Sequence, residues 1–190
     1  MADPYRERAQ QLMREAVLDA AAAEVVARGW RGLQMRSVAD AAEVSRATLY
    51  KTFGDKHGLS KALVIFHTQR LLDQATEVMA DQPLREQWRL AAATCLHAAE
   101  GDPLTKAVLL SDSSDEFLPL LTSRGAPVLD LARDRFSATV LGDHPGLDPD
   151  RVATIAENVT RLIISHLVLP RRPTDQTADT IADLATSYLQ

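Results

Sequence analysis

One cysteine, Cys95, occurs in 190 residues, so no disulfide can staple the chain internally and the fold must rest on packing. Aromatic residues are scarce as well, at 5% against 46% hydrophobic overall, which leaves an aliphatic, alanine-rich core. Alanine and leucine have the best intrinsic helix propensity. No stretch shows the strict alternation or β-branched density of a strand. No apolar run reaches the roughly 20 residues of a membrane span, and the polar start MADPYRERAQ lacks the apolar core of an export signal. Together these absences predict an all-α protein of the cytoplasm.

Catalytic and metal chemistry is thin too. The five histidines are scattered at His57, His67, His97, His144 and His166, and none forms an HExxH or a paired ExxH arrangement. His97 and Glu100 share a helical face, but a second half-site is missing. Asp112, Asp115 and Glu116 sit in a serine-rich break, which accounts for them as a helix boundary. Neither a glycine-rich phosphate loop nor a nucleophile elbow occurs. The expectation is no enzyme, no metal and no cofactor.

Net charge is −5, a mild argument against nucleic acid, yet its distribution is uneven. Residues 1–57 carry nine Lys/Arg against eight Asp/Glu, and the remainder carries 12 against 18. An acidic body with a more basic end would approach DNA basic end first.

Punctuation divides the chain into about nine helices. Asp3-Pro4 starts the first, whose apolar residues repeat at helical spacing up to Arg28, where Gly29 supplies a left-handed stop. Trp30-Arg31-Gly32 reads as a connector. Helices follow at Met35–Ala42 and Arg46–Phe53, the latter capped by Ser45. Asp55 caps a long helix from Lys56 to about Ala80, roughly 37 Å at 1.5 Å per residue. Further helices run from Pro83 to Gly101, from Pro103 to the break at Ser111–Ser114, and from Pro127 to about Leu141. A short apolar segment, Phe117–Leu121, lies between the last two. The final pair spans 149–170 and Thr174–Tyr188, with Thr174 as the expected cap. Residues 1–55 would form one domain and 56–190 a second, the helix 56–80 linking them.

Residues 33–59, LQMRSVADAAEVSRATLYKTFGDKHGL, read as two short helices joined by a tight turn. The second aligns hydroxyl, basic and aromatic side chains along one face, a combination suited to the major groove of duplex DNA with flanking anchors on phosphate. Ser45 and Thr48 offer hydroxyls, and Arg46 and Lys51 are long cations able to reach phosphate or guanine. Tyr50 combines an apolar body with a phenol donor. Lys56 lies where helix dipole and backbone N–H groups favour an anion.

This stretch resembles the DNA-binding region of TetR-family transcriptional repressors. The resemblance is carried by Val38-Ala39, Ala42, Val44-Ser45, Thr48-Leu49-Tyr50, Phe53, Lys56 and Leu59, and the chain has that family's length and helix layout. It implies an N-terminal three-helix helix-turn-helix domain followed by a helical effector-binding and dimerisation domain. It further implies DNA contacts from Thr48, Tyr50, Thr52 and Lys56, with Arg46 as a base reader and Ser45, Ala47 and Lys51 beside the duplex; Gln34 and Arg36 complete the expected set. Three positions depart from the pattern. Glu43 stands at a turn position usually held by glycine, Gln34 replaces the usual hydroxyl cap, and Thr52 replaces histidine or tyrosine.

The body has two expected tasks. The second half of helix 149–170 is apolar almost all round and needs cover on every side. Ile155, Val159, Leu162, Ile163 and His166, with Ile181, Leu184 and Tyr188 of the last helix, are expected to pair two chains through a four-helix bundle. Two-fold symmetry would then set two reading helices about 34 Å apart. Residues 83–141 would hold a pocket walled by Trp88, Cys95, Phe117, Leu121 and Phe136, with Leu96, Thr94 and His97 nearby, suited to a lipophilic or aromatic effector. The function expected is a bacterial, nucleoid-associated homodimeric repressor of a palindromic operator, released by that effector. The alternative is a small-molecule-binding helical protein or carrier without DNA-binding activity.

Overall fold

The structure is a computed structural model that describes residues 4–109 and 125–190. Asp3, the Ser111–Ser114 break, the acidic group Asp112, Asp115 and Glu116, and the expected pocket residues Phe117 and Leu121 lie outside the described residues. Those described form nine helices and no strand: α1 Pro4–Gly32, α2 Met35–Ala41, α3 Arg46–Phe53, α4 Lys56–Met79, α5 Leu84–Gly101, α6 Pro103–Leu109, α7 Ala126–Asp143, α8 Pro149–Val168 and α9 Thr174–Leu189.

Local chemistry explains most boundaries. Ser45 Oγ accepts from the Thr48 amide at 3.0 Å and Asp55 Oδ1 from the Gly58 amide at 2.8 Å, satisfying donors that open α3 and α4. Asp148 does the same for α8, whose first turn also holds Pro149. Asp102 Oδ2 accepts from the Thr105 amide at the start of α6. Gly54, at φ 79°, closes a tight turn in which the Asp55 amide donates to the Phe53 carbonyl. At the same corner a Cβ on Gly58 would lie 2.0 Å from the Phe53 carbonyl oxygen, so only glycine lets α4 start this close to α3.

Two boundaries differ from the sequence reading. Gly29 does take a positive φ of 69°, but residues 30–32 resume a helical turn after it, so the expected connector is the kinked end of α1. Thr174 is the first residue of α9 and caps nothing; Pro173 holds the cap position, and the Thr174 hydroxyl donates to Glu100 on α5 instead.

The helices enclose two cores. One gathers Val17, Leu18, Ala21 and Val25 of α1 with Val38, Leu49, Phe53, Leu59 and Leu63, locking α2 and α3 onto α1 and the start of α4. The other joins Met79, Trp88, Ala92, Phe136, Val152, Val159, Ala178 and Ile181, burying α5 among α4, α7, α8 and α9. Helix α4 contributes to both, Leu63 to the first and Leu72 to the second. Ion pairs reinforce it on either side, Arg70–Asp19 to α1 and Arg135–Asp73 to α7.

Candidate nucleic-acid interface and internal cavity

Helix α3 has two faces of opposite chemistry. Leu49 and Phe53 point into the first core, with Arg14 stacked on the Phe53 ring at 4.9 Å. Arg46, Ala47, Tyr50 and Lys51 are exposed, Tyr50 at 50% of its surface. Gln34 and Arg36 are exposed on the preceding turn and helix, and Arg36 lies 3.8 Å from Asp40. The turn between α2 and α3 carries Glu43 at φ 54°, the left-handed conformation that a glycine would take without cost. Gln34 occupies the cap position of α2 and makes no side-chain capping bond.

Four expected contact residues form hydrogen bonds within the protein. Thr52 is half-buried and its hydroxyl donates to the Thr48 carbonyl at 2.9 Å. Thr48 shares a 2.8 Å hydrogen bond with Ser45 across the first turn of α3. Lys56 Nζ donates to the Arg31 carbonyl at 3.2 Å, tying the start of α4 to the end of α1.

Behind this unit the described residues line an apolar cavity of about 100 Å³. Its described walls come from six helices: Trp30 of α1; Leu63, Val64, His67, Thr68, Leu71 and Leu72 of α4; Cys95 of α5; Leu104 and Thr105 of α6; Val128, Ala132 and Phe136 of α7; and Thr160, Ile163, Ile164 and Leu167 of α8. Polar groups are few and mostly spoken for. His67 Nε2 lies 2.8 Å from Thr105 Oγ1 and 3.2 Å from Asp102 Oδ2, and Thr160 donates to the Ala156 carbonyl. Burial pushes the His67 pKa down, against the pull of Asp102, with Arg70 adding to the depression. Burial also pushes the Cys95 thiol up to about 12, which keeps it protonated and inert.

Comparison with known proteins decides the family. Residues 17–63 match the model for bacterial regulatory proteins of the tetR family, and residues 83–187 match that for the bacterial tetracyclin repressor C-terminal domain. The chain belongs to the TetR family. It is 24% identical over 189 residues to the HTH-type transcriptional regulator AlkX of Mycobacterium tuberculosis, covering 98% of this chain and 90% of that protein. It is 30% identical over 117 residues to the transcriptional repressor KstR of Rhodococcus jostii, covering 59% and 55% respectively. The crystal structure of the TetR family repressor AlkX from Dietzia sp. strain DQ12-45-1b, implicated in biodegradation of n-alkanes, superposes with a TM-score of 0.80 at 25% identity, covering 93% of this chain and 95% of that one. The protein is therefore a TetR-family transcriptional regulator and not an enzyme.

Within this TetR-family chain the cavity differs from the expected pocket. Cys95 and Phe136 do line it. Trp88 does not: it is fully buried in the second core, edge-on to Phe136 with ring centroids 6.4 Å apart. His97 points outward, 3.1 Å from Asp175 and 3.2 Å from Glu100, and bridges α5 to α9. Its pKa is raised by the hydrogen bonds to Asp175 first and Glu100 second. The sequence reading missed Trp30, His67 and Leu104, because nothing local marks a residue of α1 or α6 as facing a space between α4, α7 and α8.

The expected pairing residues also divide. Ile155, Val159, Ile163 and Ile181 are buried inside the single chain, so they cannot form the surface of an interface; Ile163 faces the cavity. Leu162 and His166 are half-buried. Leu184 and Tyr188 stand out from α9 at 54% and 41% exposure. The error came from giving the whole apolar girth of α8 to a partner when α7 and α9 of the same chain cover much of it.

Proposed function

We propose that this regulator acts as a homodimeric repressor that grips a near-palindromic operator and lets go when an apolar effector occupies the internal cavity. The observation that carries the reading is the division of α3, with Leu49 and Phe53 anchored while Arg46, Ala47, Tyr50 and Lys51 stand clear. Arg46 and Thr48 read bases, Thr48 after exchanging its bond to Ser45 for one to DNA. Tyr50, Lys51 and Lys56 bind phosphate, with Gln34, Arg36, Ser45 and Ala47 along the same face. Thr52 joins them once its hydroxyl exchanges the Thr48 carbonyl for a phosphate oxygen.

Dimerisation uses the outer faces of α8 and α9. Leu162, His166, Leu184 and Tyr188 are its centre, and exposed Val168 and Leu169 extend the patch at the end of α8. Two copies of this helix pair give a two-fold bundle and space the reading helices one DNA turn apart, about 34 Å. The effector is lipophilic. Support comes from the nearly all-carbon cavity walls, and from the n-alkane connection in the name of the Dietzia relative. Ligands with an ionised group at their centre are excluded by the cost of burying charge among such walls.

Selection of bound duplexes from a random pool tests the reading. The expected product is an inverted repeat whose half-sites are centred about 10 base pairs apart or a multiple of that. Recovery of sequences without internal symmetry, or of none at low salt, would reject it.

A further inference from the structure

The cavity lies on the seam between the two cores. Trp30, Leu63, Val64, Leu104 and Val128 line it and at the same time belong to the core that holds α2 and α3. Ala132, Phe136 and Ile163 close it from the other core. An occupant would therefore touch the packing of the reading unit directly, with no intervening layer.

The available space is small. At about 100 Å³ it falls short of the roughly 150 Å³ dry cavity that accepts benzene in a well-studied case. An effector of ring size seated among these described walls presses on them, because close-packed side chains have little slack to absorb it. Among the wall residues, Trp30 has the largest side chain and stands just after a break in its helix. It is 3% exposed and follows Gly29, whose φ of 69° and ψ of 172° interrupt α1. A short helical turn hung on a glycine can swing at lower cost than the middle of a continuous helix such as α4, α7 or α8. The neighbouring Arg31 carbonyl is the group that holds Lys56 Nζ at 3.2 Å.

We propose that Trp30 is the occupancy sensor of this protein: filling the cavity displaces its indole, swings the last turn of α1 about Gly29, and moves the Arg31 carbonyl that positions Lys56 at the start of α4. The ligand thus acts on a phosphate-binding cation along three consecutive residues, in addition to any motion of α4 itself. Only the last link, from Lys56 to DNA, rests on the repressor reading above.

The test uses the full chain labelled with 5-fluorotryptophan, whose two tryptophans, Trp30 and Trp88, give two fluorine resonances assigned with Trp88→Phe. Benzene is the probe, and Ala132→Phe is a second way to fill the same space without any ligand. Either should shift the Trp30 resonance more than that of Trp88. Either should also weaken binding to a selected duplex by about tenfold, within the usual range of coupling between sites. In Trp30→Leu, where a smaller side chain leaves room, benzene should still bind while duplex affinity stays within about twofold; Trp30→Phe should retain part of the response. A filled cavity with an unmoved Trp30 resonance overturns the proposal, as does full release of DNA from Trp30→Leu. The fluorine readout needs no DNA, so failure of the repressor reading, seen as no duplex bound by the unmodified protein, stays separate from failure of the sensor.

Discussion

The reading unit and the body of this protein obey the same packing rules but reveal themselves differently. In α1 to α3 a short span of sequence carries both the packing and the proposed DNA contacts: Ser45 and Asp55 cap their helices, Leu49 and Phe53 anchor, and Arg46 and Tyr50 remain outside. In the body α5, α8 and α9 are amphipathic, and which apolar residue meets a neighbour, a cavity or a partner depends on the assembled fold. The difference teaches that function carried on an exposed helix face is written locally. Function carried in a space between helices is not.

The sharpest way to break this comparison is to exchange the faces of α3. Leu49→Ala should cost about 2–5 kcal/mol of folding stability, the usual toll for emptying a core leucine site, whereas Arg46→Ala should leave the melting temperature nearly unchanged and alter only which sequences are bound. Thermal unfolding and competition with random duplexes measure the two. A large loss of stability from Arg46→Ala would mean that the outer face is not free.

In the body, Leu184→Asp combined with Tyr188→Asp should separate the dimer in sedimentation and lower operator affinity by about a hundredfold or more, since two linked half-sites become independent. Ile181→Ala should instead destabilise the single chain, because that side chain is already buried. If both variants unfolded alike, the division of α9 into an inner and an outer face would fail. Tyr50→Phe is a smaller perturbation, expected to lose about 1–2 kcal/mol of operator binding for one charge-assisted hydrogen bond. An unaltered shift assay would show the phenol touching nothing. Lys56→Ala should weaken all duplexes similarly and flatten the salt slope by about one; a change of sequence preference would contradict that role.

The smallest effect is expected at His97. Its pKa is raised in the folded protein above the ordinary 6.5 by Asp175 and Glu100, so its contribution is full below about pH 6.5 and fades as pH rises through the raised value. The residue is half exposed, and solvent screens the pair. Melting curves of His97→Gln and the unmodified protein should therefore converge as pH increases; divergence would reverse the sign. His67 acts in the other direction. Burial lowers its pKa, so its neutral form favours the fold above the ordinary value, and acid titration through the lowered value destabilises it.

Much of the architecture was legible because helix boundaries are set by local chemistry. Asp148-Pro149 and Asp102-Pro103 signalled their roles through hydrogen-bond capacity and backbone freedom alone, while Gly29 signalled its positive φ but not the end of α1. Thr174 misled because a hydroxyl at a helix start can serve a neighbouring helix as easily as its own. Trp30 was hidden by its position after a glycine stop, where a connector is the ordinary expectation. Its burial is a consequence of α4 and α6 packing beside α1. Trp88 and Ile163 show the same point in reverse: each is apolar on a buried face, but only the assembled helices decide that the first fills a core and the second faces a cavity.

The central claim is that two copies of α3, held by pairing through α8 and α9, read one DNA site together. Sedimentation of the protein with a duplex recovered by selection tests it most directly. A complex of two chains on one inverted repeat, lost when either half-site is scrambled, is expected; a single chain bound with full affinity to one half-site would rule that pairing out.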